Sequence, residues 1–519
     1  MFNSATGARV WWCVFAGLIA LACAPLWVFR YFPSQDGPSH LHNALVTANY
    51  ASEPLYREYY RLTFFQPGGN LLTHFLLTGL VKIAPPLIAG KILLTGYIAL
   101  FALAFYWLLS ALTEHARYFS LFVFLLVPNL FFHLGFWNFC YGIALSLLTI
   151  GYFVRLRGAW TVRSIAVLGL AGFVVYLSHA VSWAICAAAV ATLGFADRRS
   201  FKRYTLLLAS QIPPAALFAW HSVLARADSS PCDAGGTLRS RLWSLYSLPF
   251  LDSTILPFDH LFERALAGAV VLAFAAVIWR KWRSTGFLAL AGVCTVLMVA
   301  APGCVGSASL IRTRIGFYAF LFVTVWLAAQ DWPEWFARMV GAGCAAAAIA
   351  VVVASFPVYA RWNEALAELV AVGRDIRAQS TVLLANMDPS LAGISPYRHA
   401  AGLLPARGLV DLGNYEAAIG YYFTVNFRPE VSPVPALGTL EQLQSVPPVF
   451  DVARYEKETH GRVDYILFRG SLPVDPAQIA NYRLVAQHAG LRLYKRTNTN
   501  SLQPIVPPQV TSRVSVNPR

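Results

Sequence analysis

The chain has 519 residues, of which 57% are hydrophobic and 13% charged, with a mean hydropathy of +0.54 and a formal net charge of +15. Ordinary globular chains carry roughly 45–50% apolar and about 25% charged residues, so an ordinary soluble fold is excluded. A nucleic-acid footprint is excluded too, because Lys and Arg are scattered through short loops rather than gathered into one stripe or tail.

The first apolar run, Val10 to Phe29, follows Arg9 and passes straight into Arg30-Tyr-Phe, with no small-x-small cleavage site before a polar start. It reads as a retained anchor rather than a signal peptide. Just beyond it lies Pro33-Ser-Gln-Asp-Gly-Pro-Ser-His-Leu-His42. Asp36 there supports two readings. It could cap a helix beginning near Ser39, since Asp-Gly-Pro-Ser suits a helix start. It could instead be a general base whose pKa is lifted by a low-dielectric surround, with His40 and His42 orienting an acceptor or sharing a metal.

Leu71 to Ala84 is apolar but short and ends at Pro85-Pro86, so it reads as an interfacial or re-entrant helix. The following apolar segments read as spans over residues 88–112, 118–134, 138–154, 162–178, 179–196, 204–225, 264–280, 285–301, 312–329 and 339–357. Each is near the length that crosses about 30 Å of hydrocarbon. Three basic loops set the orientation: Arg155/Arg157/Arg163, Arg198/Arg199/Lys202/Arg203 and Arg280/Lys281/Arg283. With these cytoplasmic, the N-terminus is inside and everything after residue 358 outside.

The expected fold class is an all-α polytopic membrane bundle of about eleven transmembrane helices with a small α/β extracytoplasmic C-terminal domain. The bundle covers residues 1–358, with a first outer loop at 31–87 and a long outer loop at 226–262. The outer domain covers 359–496, with an amphipathic helix from Trp362 to Ala378 and strands at Thr381–Ala385, Asp464–Phe468 and Leu491–Tyr494. Residues 497–519 read as a disordered tail. Cys13, Cys23, Cys140, Cys186, Cys294 and Cys344 lie in apolar segments as packing residues, whereas Cys232 and Cys304 fall in outer loops where a disulfide could form.

Polar groups outside the basic loops gather on the outer face. Arg312 and Arg314 open an outer helix end and could hold a phosphate through paired hydrogen bonds, or snorkel to lipid headgroups. His179 could donate to the same phosphate or simply be a polar helix tip. His133 and Asn138, in Phe131-Phe-His-Leu-Gly-Phe-Trp-Asn-Phe139, could reach a sugar or belong to an aromatic interface belt.

An acid just outside the first span, an interfacial helix before the second, many further spans and an outer C-terminal domain together resemble the GT-C superfamily of membrane glycosyltransferases, bacterial type. The stretches Asn414-Tyr-Glu-Ala417 and Tyr482 to Lys495 also look familiar from such chains. The resemblance implies an inverting hexosyl- or pentosyltransferase of a bacterial inner membrane, taking sugar from a polyprenyl-phosphate donor to a glycan, lipid or protein acceptor. It implies Asp36 as base and Arg312 and Arg314 at the donor phosphate; His179 beside that phosphate, and His40, His42, His133 and Asn138 near sugar or acceptor, are read from the residues alone. Asp36 is followed by Gly37 rather than by a second acid, which favours a single base over a metal pair, although a divalent metal stays open. A transporter or flippase of a lipid-linked glycan and a non-catalytic envelope assembly protein are the competing readings. The first would need charges or broken helices at mid-membrane.

Overall fold

The computed structural model describes residues 5–497 except 65–67, 197–199, 228–235, 254, 257–258, 280–281, 284, 388–393, 421 and 471–472. Cys232, Arg198, Arg199, Arg280, Lys281 and the expected tail from residue 498 onward lie outside the described residues. Cys304 is disulfide-bonded.

The helices used here are α1 (Ala5–Val28), α2 (Gly37–Asn49), α3 (Leu72–Val81), α4 (Pro86–Leu109), α5 (Trp137–Leu156), α6 (Val162–Ser178), α7 (Ala180–Ala196), α8 (Leu238–Ser247), α9 (Asp259–Ile278), α10 (Phe287–Ala300), α11 (Ile311–Ala328) and α12 (Glu334–Val372). Among the described residues six helices are long and apolar enough to cross a membrane: α1, α4, α5, α9, α11 and α12. Six shorter apolar helices accompany them, α3 among them.

Two expected spans are broken, for reasons visible in their residues. In 118–134 the helix stops before Pro128, which has no N–H to donate. Asn129 then accepts from the N–H groups of Phe131 and Phe132 and starts a new short helix, Leu130–Leu134, closed by Gly135 at φ +86°. In 204–225 the helix Phe201–Ala209 ends before Pro213-Pro214, and a second helix, Ile212–Ala227, takes these prolines into its first turn. The expected separate helix Trp362–Ala378 is also corrected. Its first eleven residues continue α12, which carries Pro357 in its interior and runs without a break from the span to Val372.

The two ends of the bundle differ. Near one end Trp11 Nε1 donates to the Arg117 carbonyl, Arg155 lies 3.5 Å over the Trp107 ring, and Arg283 pairs with Asp331 at 3.0 Å. Asp36 follows the opposite end of α1, a helix of 24 residues and therefore about 36 Å long.

The C-terminal part carries a five-stranded sheet ordered β3-β2-β5-β7-β6, with strands β2 (Thr381–Asn386), β3 (Val410–Asp411), β5 (Tyr465–Arg469), β6 (Tyr482–His488) and β7 (Leu491–Arg496). Strand β2 is parallel to both β3 and β5, and β5, β7 and β6 are antiparallel. Every residue of β2 is buried, as expected for a central strand covered on both faces. The first loop belongs to this body as well. Strand β1 (Tyr60–Leu62) pairs antiparallel with β4 (Val425–Phe427), in the register Tyr60 to Phe427. Buried Glu53 accepts from Arg407 Nε at 2.6 Å and from Gln379, and Tyr31 N–H donates to Asn363 Oδ1 at 2.9 Å.

Candidate active site

Asp36 is held by backbone before its side chain is considered. The N–H groups of Gln35 and Asp36 donate to the carbonyls of His133 and Leu134, each at 3.0 Å. This close approach needs glycine at 135. A Cβ there would stand 2.8 Å from the Gly37 nitrogen and 2.9 Å from that of Asp36. Asp36 occupies the N-cap position of α2, with Pro38 in the first turn, yet its carboxylate makes no capping hydrogen bond. The side chain turns instead into the interior, 5% exposed.

There Tyr415 Oη donates to Asp36 Oδ2 at 2.8 Å, and His399 Nε2 lies 3.6 Å from Oδ1. Burial lifts the Asp36 carboxyl to about 6, against the lowering influence of His40 and the Tyr415 hydroxyl. His399 stacks on the Tyr415 ring at 4.5 Å. Burial, with help from Arg398 and His40, holds its pKa well below the usual histidine range, so it stands beside Asp36 as a neutral ring.

One turn along α2, His40 Nδ1 meets Glu416 Oε1 at 2.7 Å and its Nε2 donates to the Gly135 carbonyl at 2.9 Å. Both ring nitrogens face acceptors. Burial opposes the imidazolium, but Glu416, Asp36 and Gly135 outweigh it and raise the pKa above the ordinary value. Spacing of four residues on α2 places Ser39 and Asn43 on one side. Ser39 donates to Asn414 Oδ1 (3.0 Å), Asn414 Nδ2 to Asn43 Oδ1 (2.7 Å), and Asn43 Nδ2 to Glu416 Oε2 (2.6 Å). This buried chain of amides fixes the Tyr415 backbone against α2, so the two carboxylates are set by one network.

Asp36, His40, His399 and Tyr415 line a cavity of about 810 Å³. One wall carries Arg314, His179 and Phe139 from the helical bundle, and another Arg398, Tyr422 and Gln444. Arg314 is 7% exposed, and its guanidinium lies 4.7 Å above the Phe136 ring and 5.6 Å above Phe139. Its Nε is buried with no hydrogen-bond partner. His179 accepts the Val181 N–H on Nδ1 at 3.2 Å, so the ring proton sits on Nε2. A buried guanidinium lacking an acceptor beside an N–H donor is a place for an anion.

The structure brings Asp36, His40, His179, Arg314 and Asn138 to one cavity. Asn138 spends its amide on the chain, accepting from Thr73 N–H and donating to the Asn70 carbonyl, each at 3.0 Å, which anchors the start of α3. His42, His133 and Arg312 do not line the cavity. His42 is buried against Tyr60 Oη at 3.3 Å, His133 Nε2 meets Tyr359 Oη at 2.8 Å, and Arg312 Nε donates to the Ala301 carbonyl at 2.9 Å. Sequence reasoning missed Tyr415, Glu416, Arg398 and His399. The one signal for any of them is the stretch Asn414-Tyr-Glu-Ala417, which carries Tyr415 and Glu416.

Among the described residues no group of three or more His, Cys, Asp or Glu side chains is set to hold a metal ion. Asp36 is engaged by Tyr415, and Glu416 by Asn43 and His40, so these donors do not fit a metal cage. No family model matches the chain. No curated protein is significantly similar to it.

Proposed function

We propose that the chain is a membrane glycosyltransferase that moves a sugar from a polyprenyl-phosphate donor to an acceptor on the outer face of a bacterial inner membrane. The observation that carries this reading is the single cavity holding a buried carboxylate near pKa 6 and an unpaired buried guanidinium. A base poised near neutral pH accepts a proton efficiently, and a pre-set cation stabilises the charge that develops on a departing phosphate.

In this reading Asp36 takes the proton of an acceptor hydroxyl or amine. The freed electron pair attacks the anomeric carbon, the bond from that carbon to the phosphate oxygen breaks, and the carbon inverts. The leaving polyprenyl phosphate keeps the electron pair and is held by Arg314 and His179 Nε2–H. Tyr415 orients the carboxylate, and the His40–Glu416 pair adds little net charge beside it. In this reading the six long helices cross the membrane, the shorter apolar helices other than α3 complete about eleven crossings together with their flanking segments, and the basic loops lie inside and the C-terminal domain outside.

The test compares a deletion strain rescued by wild type and by Asp36→Asn, reading the surface glycan profile and the amount of protein in the membrane. A variant present at normal level with a truncated glycan supports the reading. Full rescue by Asp36→Asn overturns it.

A further inference from the structure

Helix α8 (Leu238–Ser247) turns an apolar face outward. Leu238, Leu242 and Tyr246 recur every four residues, and Trp243 stands beside them. Their exposures are 64%, 49%, 68% and 62%. The Trp243 and Tyr246 rings meet at 5.0 Å. One flank of the helix is tied down. Leu245 packs on the bundle core, and Arg241 donates to the Val299 carbonyl at 3.1 Å, at the last turn of α10.

We infer that α8 lies flat in the headgroup zone of the bilayer, its Leu-Trp-Tyr face buried in lipid, and forms the sill over which a lipid-tailed substrate reaches the cavity. Three observations choose lipid as the occupant. The anchor is the end of an apolar helix, which sets α8 at the depth where hydrocarbon gives way to headgroups. Paired Trp and Tyr rings prefer that zone. Arg239, exposed on the same face between Tyr246 and Trp243, can snorkel to lipid phosphates. The loop joining α10 to α11 contributes Gly306 to Leu310 to the cavity wall, so the sill borders the site. The helix placement stands alone, whereas the role as a sill rests on the transferase reading.

The test uses the full chain in lipid nanodiscs with Cys13→Ser, which removes the exposed free thiol, and single spin labels at Leu242→Cys, Trp243→Cys and Tyr246→Cys. Relaxation by oxygen but not by a water-soluble nickel chelate is expected at all three. Relaxation by nickel would place the face in water. Protection from both would place it against protein, whether a partner or a second copy. Either result overturns the inference. Should a labelled chain fail to fold, Trp243→Phe answers the same question, since it should remove fluorescence quenched by shallowly brominated lipid. For the sill, Trp243→Ser with Tyr246→Ser should raise KM for a long-chain donor about tenfold while leaving a short, water-soluble donor unchanged. Equal effects on both donors overturn the sill. Loss of activity only with Asp36→Asn would leave the transferase reading intact.

Discussion

The Tyr415 hydroxyl donates to Asp36 Oδ2 at 2.8 Å across 379 residues of chain. Through that bond an acid next to the first helix is completed by a residue of the C-terminal domain. The amide chain Ser39–Asn414–Asn43–Glu416 holds the two partners in register, so the loop and the domain act as one wall of the cavity.

A cap and a base make opposite predictions for Asp36→Asn. Loss of a cap costs about 1 kcal/mol of stability. The buried carboxyl has a folded pKa raised above its unfolded value, so its burden on the fold grows as pH rises from about 4 to 6 and is full above that. Asparagine relieves it, and the gain at pH 7.5 is at most about 3 kcal/mol. Thermal unfolding in detergent should show Tm unchanged or higher, while sugar transfer falls about 10²–10⁴-fold.

The pH profile of transfer should rise through an acidic limb near 6, where Asp36 loses its proton. Tyr415→Phe removes a hydrogen bond that favours the carboxylate and should move the limb to higher pH. Initial rates from pH 4.5 to 8 decide this. A limb that stays in place would show that Asp36 is not the group titrating.

Arg314 and Arg312 are two residues apart but differ in surroundings. Arg314→Lys loses the planar donor fork and should raise donor KM about 10–100-fold, whereas Arg312→Ala should change it less than about threefold. Kinetics with a radiolabelled lipid-phosphate sugar separate them. Equal losses would argue against Arg314 as the phosphate ligand.

Glu53→Ala should loosen the first loop from the C-terminal domain, because buried Glu53 accepts from both Arg407 and Gln379. Arg407 is largely exposed and screened, so the cost is about 1–2 kcal/mol. Hydrogen exchange should rise in β1 and β4 together, with the exchange of α4 and α5 unchanged.

Much of this arrangement can be read from local pattern. Asp36 beside the first helix, the short apolar stretch before Pro85-Pro86 and the strands at Thr381, Asp464 and Leu491 are signalled by their own neighbours. Breaks at Pro128 and at Pro213-Pro214 carry a signal too, but apolar length outweighed it. The partners of Asp36 carry none. Tyr415, Glu416 and His399 meet α2 through contacts made far along the chain, the pairing of three-residue β1 with β4 among them, and no periodicity announces such contacts. His42 and His133 misled because a histidine near a candidate acid looks the same in sequence whether it faces a cavity or a Tyr60 or Tyr359 hydroxyl.

The pairing of β1 with β4 has a consequence for biosynthesis. While the chain is still emerging from the ribosome, Asp36 has already passed the first helix, but Tyr415 and Glu416 have not yet been made. An unfinished chain therefore owns a carboxylate without its hydroxyl and a histidine without its counter-ion. In the transferase reading, a nascent copy stays silent until the C-terminal segment has been made and has folded back on the first.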